Sequence, residues 1–188
     1  HIIKAKRFII STGSTAFVPP IDGLDKVPFL TNESIFELTE LPEHLVIIGG
    51  GPIGIEMAQA FNRLGSKVTV LEAFTALPKD DPELTSKLKE ILVNEGMDLN
   101  ENVKVLSVDK VKNGTRIAYQ TSDGKDKEAI ASHILVATGR RANIQNLNLD
   151  IAGIKASARG IEVNEQLLTS NSKVYAIGDC TGGYQFTH

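Results

Sequence analysis

The segment from His44 to Glu72 reads HLVIIGGGPIGIEMAQAFNRLGSKVTVLE, and it constrains the fold more than any other part of the chain. An apolar strand runs into GxGxxG, a helical pattern follows, and a Val- and Leu-rich strand ends in glutamate. This is the order of a βαβ unit with a phosphate-binding turn. Gly49 makes the tight turn, Gly51 lets the main chain approach a pyrophosphate, and Gly54 lets the helix pack closely on the strand. Pro52 suits the first helical position, because its φ is already set and its missing N–H would have found no intrahelical partner. The helix start offers unpaired N–H groups and a partial positive charge, which favour an anion there.

Ile53, Met57, Phe61 and Leu64 recur at helical spacing and predict the buried face of that helix, with Gly65 as its stop. Glu72 follows Gly54 at roughly the twenty-residue separation at which an acid accepts hydrogen bonds from the adenosine ribose. A 2′-phosphate would face a like charge there, and Ala73, Phe74 and Thr75 offer no arginine, so NAD(H) is expected over NADP(H). GxGxxG by itself also serves ordinary turns. Here the two strands, the helix and the terminal acid supply the specificity.

The chain has 188 residues, of which 41% are hydrophobic, enough for a core in one large domain or one and a half small ones. It contains no run of about 18 apolar residues to span a bilayer. The opening HIIKAKRFIISTG shows no charged leader with a cleavage site, so the cytoplasm is the expected address. A formal charge of −3, with no basic cluster beyond Lys4, Lys6 and Arg7, argues against a nucleic-acid partner. Cys180 is the only cysteine. The chain therefore holds no disulfide, CxxC or CxxxxC redox pair, or zinc cluster, and any thiol redox centre must lie elsewhere.

Along the chain, His1 to Ser11 reads as a strand ending in the turn Thr12, Gly13, Ser14, and Phe29 to Leu41 as a connector with a short helix. Asp81 and Pro82 start a second helix, continued by Leu84, Leu88, Ile91 and Leu92. Val103 to Val111 and Arg116 to Gln120 flank an Asn-Gly hairpin signal, and a third strand of this meander runs from the Ser122, Asp123, Gly124 turn into Ile134, Leu135 and Val136. FIISTGS and ILVATGR repeat one strand-to-glycine device. A short strand is expected at Gly160 to Val163, and another at Val174 to Ile177. Asp179 follows that last strand either as a ligand-binding acid at a strand end or as a helix cap.

Five segments in this order, STGS, GGGPIGIE, VTVLE, ILVATGRRAN and VYAIGDC, resemble the class I pyridine nucleotide-disulfide oxidoreductases, the family of dihydrolipoamide dehydrogenase, glutathione reductase and mercuric reductase. The resemblance covers essentially the whole chain. It implies an α/β fold: a Rossmann-like NAD-binding domain over residues 31–138, three-layered with a parallel sheet and a β meander. Residues 1–30 and 139–188 would be segments of a partial FAD-binding domain. Family members also carry an FAD-binding GxGxxG with a redox cysteine pair, and an interface domain with a His-Glu pair. The resemblance thus implies that this chain is a piece of a longer, homodimeric flavoprotein, inactive by itself, with no catalytic residue of its own and some apolar surface left uncovered. His1, His44, His133 and His188 do not match the catalytic histidine.

Carried over residue by residue, the resemblance makes Gly49, Gly50, Gly51, Pro52, Ile53 and Gly54 the pyrophosphate loop and Glu72 the ribose acceptor. Val103 matches a position touching the adenine, and Gly139 one lining the dinucleotide cleft. Glu56 resembles the glutamate that holds the nicotinamide carboxamide, or it is a first-turn acid favoured by the helix dipole. Thr12, Gly13, Ser14 and Asp179 match FAD contacts, Asp179 on the ribityl chain. Cys180 reads as a buried core thiol. The implied activity is hydride passage between NADH and flavin, then to a dithiol outside this chain. A non-catalytic NAD(H) sensor, or a flavin-dependent NADH oxidase or ferredoxin reductase, are the alternatives. Glu72 leans towards the lipoamide type, although the electron acceptor itself is not written in these residues.

Overall fold

The computed structural model describes residues 3–183; His1, Ile2 and Tyr184 to His188, and with them two of the four histidines, lie outside the described residues. Two compact units emerge: Phe17–Gly139 in the middle of the chain, and a flanking unit built from residues before and after it. In chain order the strands are β1 (Phe8–Ile10), β2 (Ser14–Ala16), β3 (His44–Ile48), β4 (Lys67–Leu71), β5 (Asp98–Asn100), β6 (Lys104–Val111) and β7 (Gly114–Gln120). They continue as β8 (Asp126–Ala131), β9 (His133–Val136), β10 (Arg140–Ala142), β11 (Ala156–Ser157), β12 (Gly160–Ile161) and β13 (Val174–Ala176). Helix α1 (Pro52–Leu64) follows β3 and helix α2 (Pro82–Asn94) follows β4. Among the described residues no helix is long and apolar enough to cross a membrane.

The middle unit has three layers. Its parallel sheet has the order β5-β4-β3-β9, and the antiparallel meander has the order β6-β7-β8. Successive side chains of a strand point to opposite faces. Val46, Ile48, Ile134 and Val136 accordingly join Val108, Ile117 and Tyr119 of the meander in one core. Leu45, Ile47, Val68, Val70 and Leu135 join Ile55, Ala58 and Leu92 of the helices in another. Burial on both faces is why β3 and β9 run apolar after their first residue and why β4 is rich in Val and Leu.

Several local expectations hold. Gly65 ends α1 in the left-handed conformation at φ 108°, and the Asp81 carboxylate caps α2 by accepting from the Glu83 and Leu84 N–H groups. Others need correction. The buried face of α1 is Gly54, Ile55 and Ala58, with Met57 and Phe61 only partly covered and Leu64 67% exposed. The smallest residues let the helix approach most closely, and that approach turns the longer ones to the side. On α2, Leu92 and Thr85 are buried and Leu88 partly so, whereas Leu84 and Ile91 are exposed.

The third meander strand is two strands. β8 stops at Ala131, and Ser132 is clamped to β3: its N–H and hydroxyl both donate to the His44 carbonyl, and its Oγ accepts from the His44 N–H. The chain then enters the parallel sheet as β9. In the hairpin before it, Val111 pairs with Gly114, so Lys112 and Asn113 form the turn and Gly114 already belongs to β7.

In the flanking unit β1 pairs in parallel with β13, β2 pairs with β10 and β11 with β12, both antiparallel. Ile154, Ile161, Val174, Ala176 and Cys180 form its core. Among the described residues, the strand expected over His1 to Ser11 is confined to the three residues that β13 pairs, and that expected at Gly160 to Val163 to the two that β11 pairs. Residues 17–30, placed with the leading flank on sequence grounds, lie in the middle unit, where Leu24 and Val27 are buried in its core.

Candidate functional site

At the carboxyl end of β3 the chain bends into the Gly49–Gly54 loop. Gly49 has φ 114°, and a Cβ there would stand 2.4 Å from the Ala137 carbonyl oxygen. At Gly54 a Cβ would stand 2.1 Å from the Gly49 carbonyl oxygen, and at Gly50 one would be squeezed to 3.0 Å from both Ala76 Cβ and Glu72 Cβ. Gly49 and Gly54 are required by the protein's own backbone packing, and Gly50 is tightly packed. Gly51 differs. Its backbone is extended at φ −73°, ψ 179°, and a Cβ would meet nothing within 4 Å.

Gly51 faces a cleft of about 240 Å³ that is also lined by Pro52, Ile53, Glu72, Pro78, Asn32, Val136, Ala137, Thr138 and Gly139. The α1 N-terminus opens on it without any side-chain cap, and the N–H groups of Gly51, Ile53 and Gly54 find no hydrogen-bond partner among the described residues. The Glu72 carboxylate stands at the loop's other side. Its Oε2 accepts from the Gly50 N–H at 2.5 Å and its Oε1 from the Phe74 N–H at 2.8 Å, so part of its acceptor capacity holds the loop in shape.

Of the expected residues, Gly51, Pro52, Ile53, Glu72 and Gly139 line this cleft, and Gly49, Gly50 and Gly54 complete the loop without lining it. Glu56 and Val103 do not line it. Glu56 is exposed in the second turn of α1, past the first turn where the helix dipole acts most strongly. Val103 is 4% exposed, packed with Leu71 and Tyr119, and its N–H donates to the Glu72 carbonyl. Asn32, Pro78 and Thr138 escaped the sequence reading. Thr138 sat in plain view beside Gly139 in the repeated strand-to-glycine device, whereas Asn32 and Pro78 come from connectors with no motif.

In the flanking unit, Thr12, Gly13, Ser14 and Asp179 form a second polar cluster. The Ser14 hydroxyl donates to Asp179 Oδ2 at 2.5 Å and accepts from Arg140 Nε at 2.6 Å, and Arg140 Nε stands 3.8 Å from the same carboxylate oxygen. Thr12 and Gly13 are tied to Asn143. Asp179 lies inside a 3-10 turn, Gly178–Thr181, and its side chain caps nothing there; a helix beyond Gly183 that it could cap falls outside the described residues. Cys180 is fully buried against the Ile10 and Ile177 carbonyls.

His44 and His133 belong to the sheet. His44 reaches the Ile130 carbonyl at 2.7 Å through Nδ1 and Thr69 Oγ1 at 3.0 Å through Nε2, and Thr69 in turn donates to Asp98 at 3.2 Å. Burial holds its pKa below the ordinary 6.5, against the opposing pull of the bond to Ile130.

A sequence profile of the pyridine nucleotide-disulphide oxidoreductases matches residues 1–188. The chain belongs to that family. A mercuric reductase of Streptomyces lividans is 39% identical over 95% of this chain and 38% of its own length. A dihydrolipoyl dehydrogenase of Bacillus subtilis is 37% identical over 97% of this chain and 39% of its own. Among solved structures, the HOCl-induced flavoprotein disulfide reductase RclA of Escherichia coli superposes with a TM-score of 0.88 at 34% identity, covering 98% of this chain and 42% of that one. The chain thus spans well under half the length of the oxidoreductases it matches, and it has their mixed α/β architecture with parallel sheet and meander.

Proposed function

We propose that the middle unit, with residues 31–138 as its greater part, is the NAD(H)-binding portion of an FAD-dependent disulfide oxidoreductase, and that the flanking unit belongs to its FAD domain. One observation carries the reading: in a loop whose other glycines are closely packed, Gly51 is demanded by nothing within the protein. Its bare backbone borders a cleft at an uncapped helix start, where a diphosphate accepts from main-chain N–H groups. The residues present fit that group. Glu72 adds ribose-binding capacity at the far side, and its charge disfavours a 2′-phosphate.

The nicotinamide would exchange hydride with a flavin whose electrons pass to a disulfide held outside this chain, chemistry that the cofactors themselves carry. The chain's residues bind and orient. Gly139 and Thr138 wall the cleft, Glu56 would reach the carboxamide, Val103 supports Glu72 from the core through its N–H, and Ser14 and Arg140 hold Asp179 ready for the flavin's ribityl hydroxyls. The family supports a soluble, cytoplasmic homodimer completed by the protein's own remaining FAD and interface domains.

Gly51→Ala tests the reading. Because φ and ψ there are open to any residue, the variant should keep the wild-type Tm while losing at least about ten-fold in NADH affinity, measured by fluorescence titration. Wild type should prefer NADH to NADPH. A Gly51→Ala chain that binds NADH as tightly as wild type overturns the proposal.

A further inference from the structure

Beyond the loop, a strap of chain from Phe74 to Pro78 runs to the cleft that Pro78 lines, and its main chain is tied at Phe74, Ala76 and Leu77. The Phe74 N–H donates to Glu72 and its carbonyl accepts from the Asn102 N–H. The Ala76 N–H donates to Glu101 Oε1 at 2.6 Å, and the same oxygen takes Lys89 Nζ at 2.7 Å. The next residue, Leu77, is left-handed at φ 55°, a costly conformation for a non-glycine residue, and it is 8% exposed. Its N–H donates to the Gly50 carbonyl at 3.0 Å.

That last bond has a directional effect. In a trans peptide the C=O and the following N–H point in opposite directions. Fixing the Gly50 carbonyl on Leu77 therefore aims the Gly51 N–H away from the strap. This N–H has no partner among the described residues and belongs to a residue that lines the cleft.

We infer that Glu101, held by Lys89, is a positioning residue for dinucleotide binding: by anchoring Ala76 it keeps Leu77 in its left-handed turn, which fixes the peptide that presents the Gly51 N–H. The inference rests on the reading of the cleft as an NAD(H) site. Glu101 touches no ligand in this scheme and acts wholly through the strap. The side chains of Lys89 and Glu101 are only 18% and 27% exposed, so the pair lies where solvent weakens it less than at an open surface.

The experiment pairs NADH titration with amide hydrogen exchange on the whole chain, comparing wild type, Glu101→Ala and Glu101→Gln. Glu101→Ala should lose exchange protection at Leu77 and bind NADH about ten-fold more weakly, the loss expected for one hydrogen bond to a charged acceptor. Glu101→Gln keeps an oxygen for the Ala76 N–H and should restore both readouts, which a role resting on charge alone would not. Unchanged Leu77 protection in Glu101→Ala, or lost protection with unchanged NADH affinity, overturns the positioning role alone. If Glu101→Ala fails to fold, a Glu101→Gln chain with weakened NADH binding and intact Leu77 protection also refutes it. Wild type that does not bind NADH overturns the function proposal and this inference together.

Discussion

The two units solve the same packing problem to different degrees. In the middle unit, β3 and β9 lie between a meander and a helix layer, and Leu45, Val46, Ile47 and Leu135 are fully buried. In the flanking unit, β1 pairs three residues with β13, and its Phe8 and Ile9 are 44% and 65% exposed. A strand has two faces and needs a layer on each. The comparison teaches that closure comes from layer count, since both units contain the same apolar residue types at strand positions.

The sharpest way to break that comparison is a matched pair of truncations. Ile47→Ala should cost about 2–5 kcal/mol in urea denaturation, whereas Ile9→Ala should stay within about 0.5 kcal/mol. Similar losses at both sites would mean that β1 is covered and the contrast false. The glycine turns that follow β1 and β3 give a second, smaller test. Gly13 has φ 68° with open space where a Cβ would go, so Gly13→Ala should cost only the left-handed penalty of about 1–2 kcal/mol. Gly49→Ala must also displace the Ala137 backbone, and its measured loss should be the larger of the two.

The smallest expected effect is a pH response confined to the middle unit, which holds both histidines among the described residues. The native pKa of His44 lies below 6.5, so between the two values the unfolded chain binds more protons than the native one, and stability rises with pH through that window. His44 contributes fully above 6.5, and its contribution is lost as pH falls through the lowered native value. Urea denaturation along a pH series should show this slope in wild type and a flatter one in His44→Gln. An unchanged slope would move the titration elsewhere.

What the sequence made legible was main-chain chemistry. Glycines at the β3–α1 turn, Gly65 after α1 and Asp81 before α2 each answer a local backbone demand, and each stands where its pattern put it. Side-chain faces were harder to read. The α1 face followed Gly54 and Ala58, whose small size carries little weight in a hydrophobic pattern and decides how closely a helix can approach. The break at Ser132 hid between two apolar stretches, Ala129 to Ala131 and Ile134 to Val136, that only Ser132 and His133 separate. Within the cleft, Asn32 and Pro78 were invisible because connectors carry no periodicity, and Glu101 because its partners, Ala76 and Lys89, meet it only in the folded chain.

The clamp between His44 and Ser132 joins residues 88 apart in sequence. Synthesis from the N-terminus therefore finishes β3 and α1 long before β9 exists, and for that interval one edge of the nascent sheet bears unpaired N–H and C=O groups. The βαβ motif that defines the cleft leaves the ribosome early, yet its wall at Ala137 to Gly139 arrives last. Coenzyme binding by a growing chain should thus begin only after the meander has emerged, making the cleft a late reporter of successful folding.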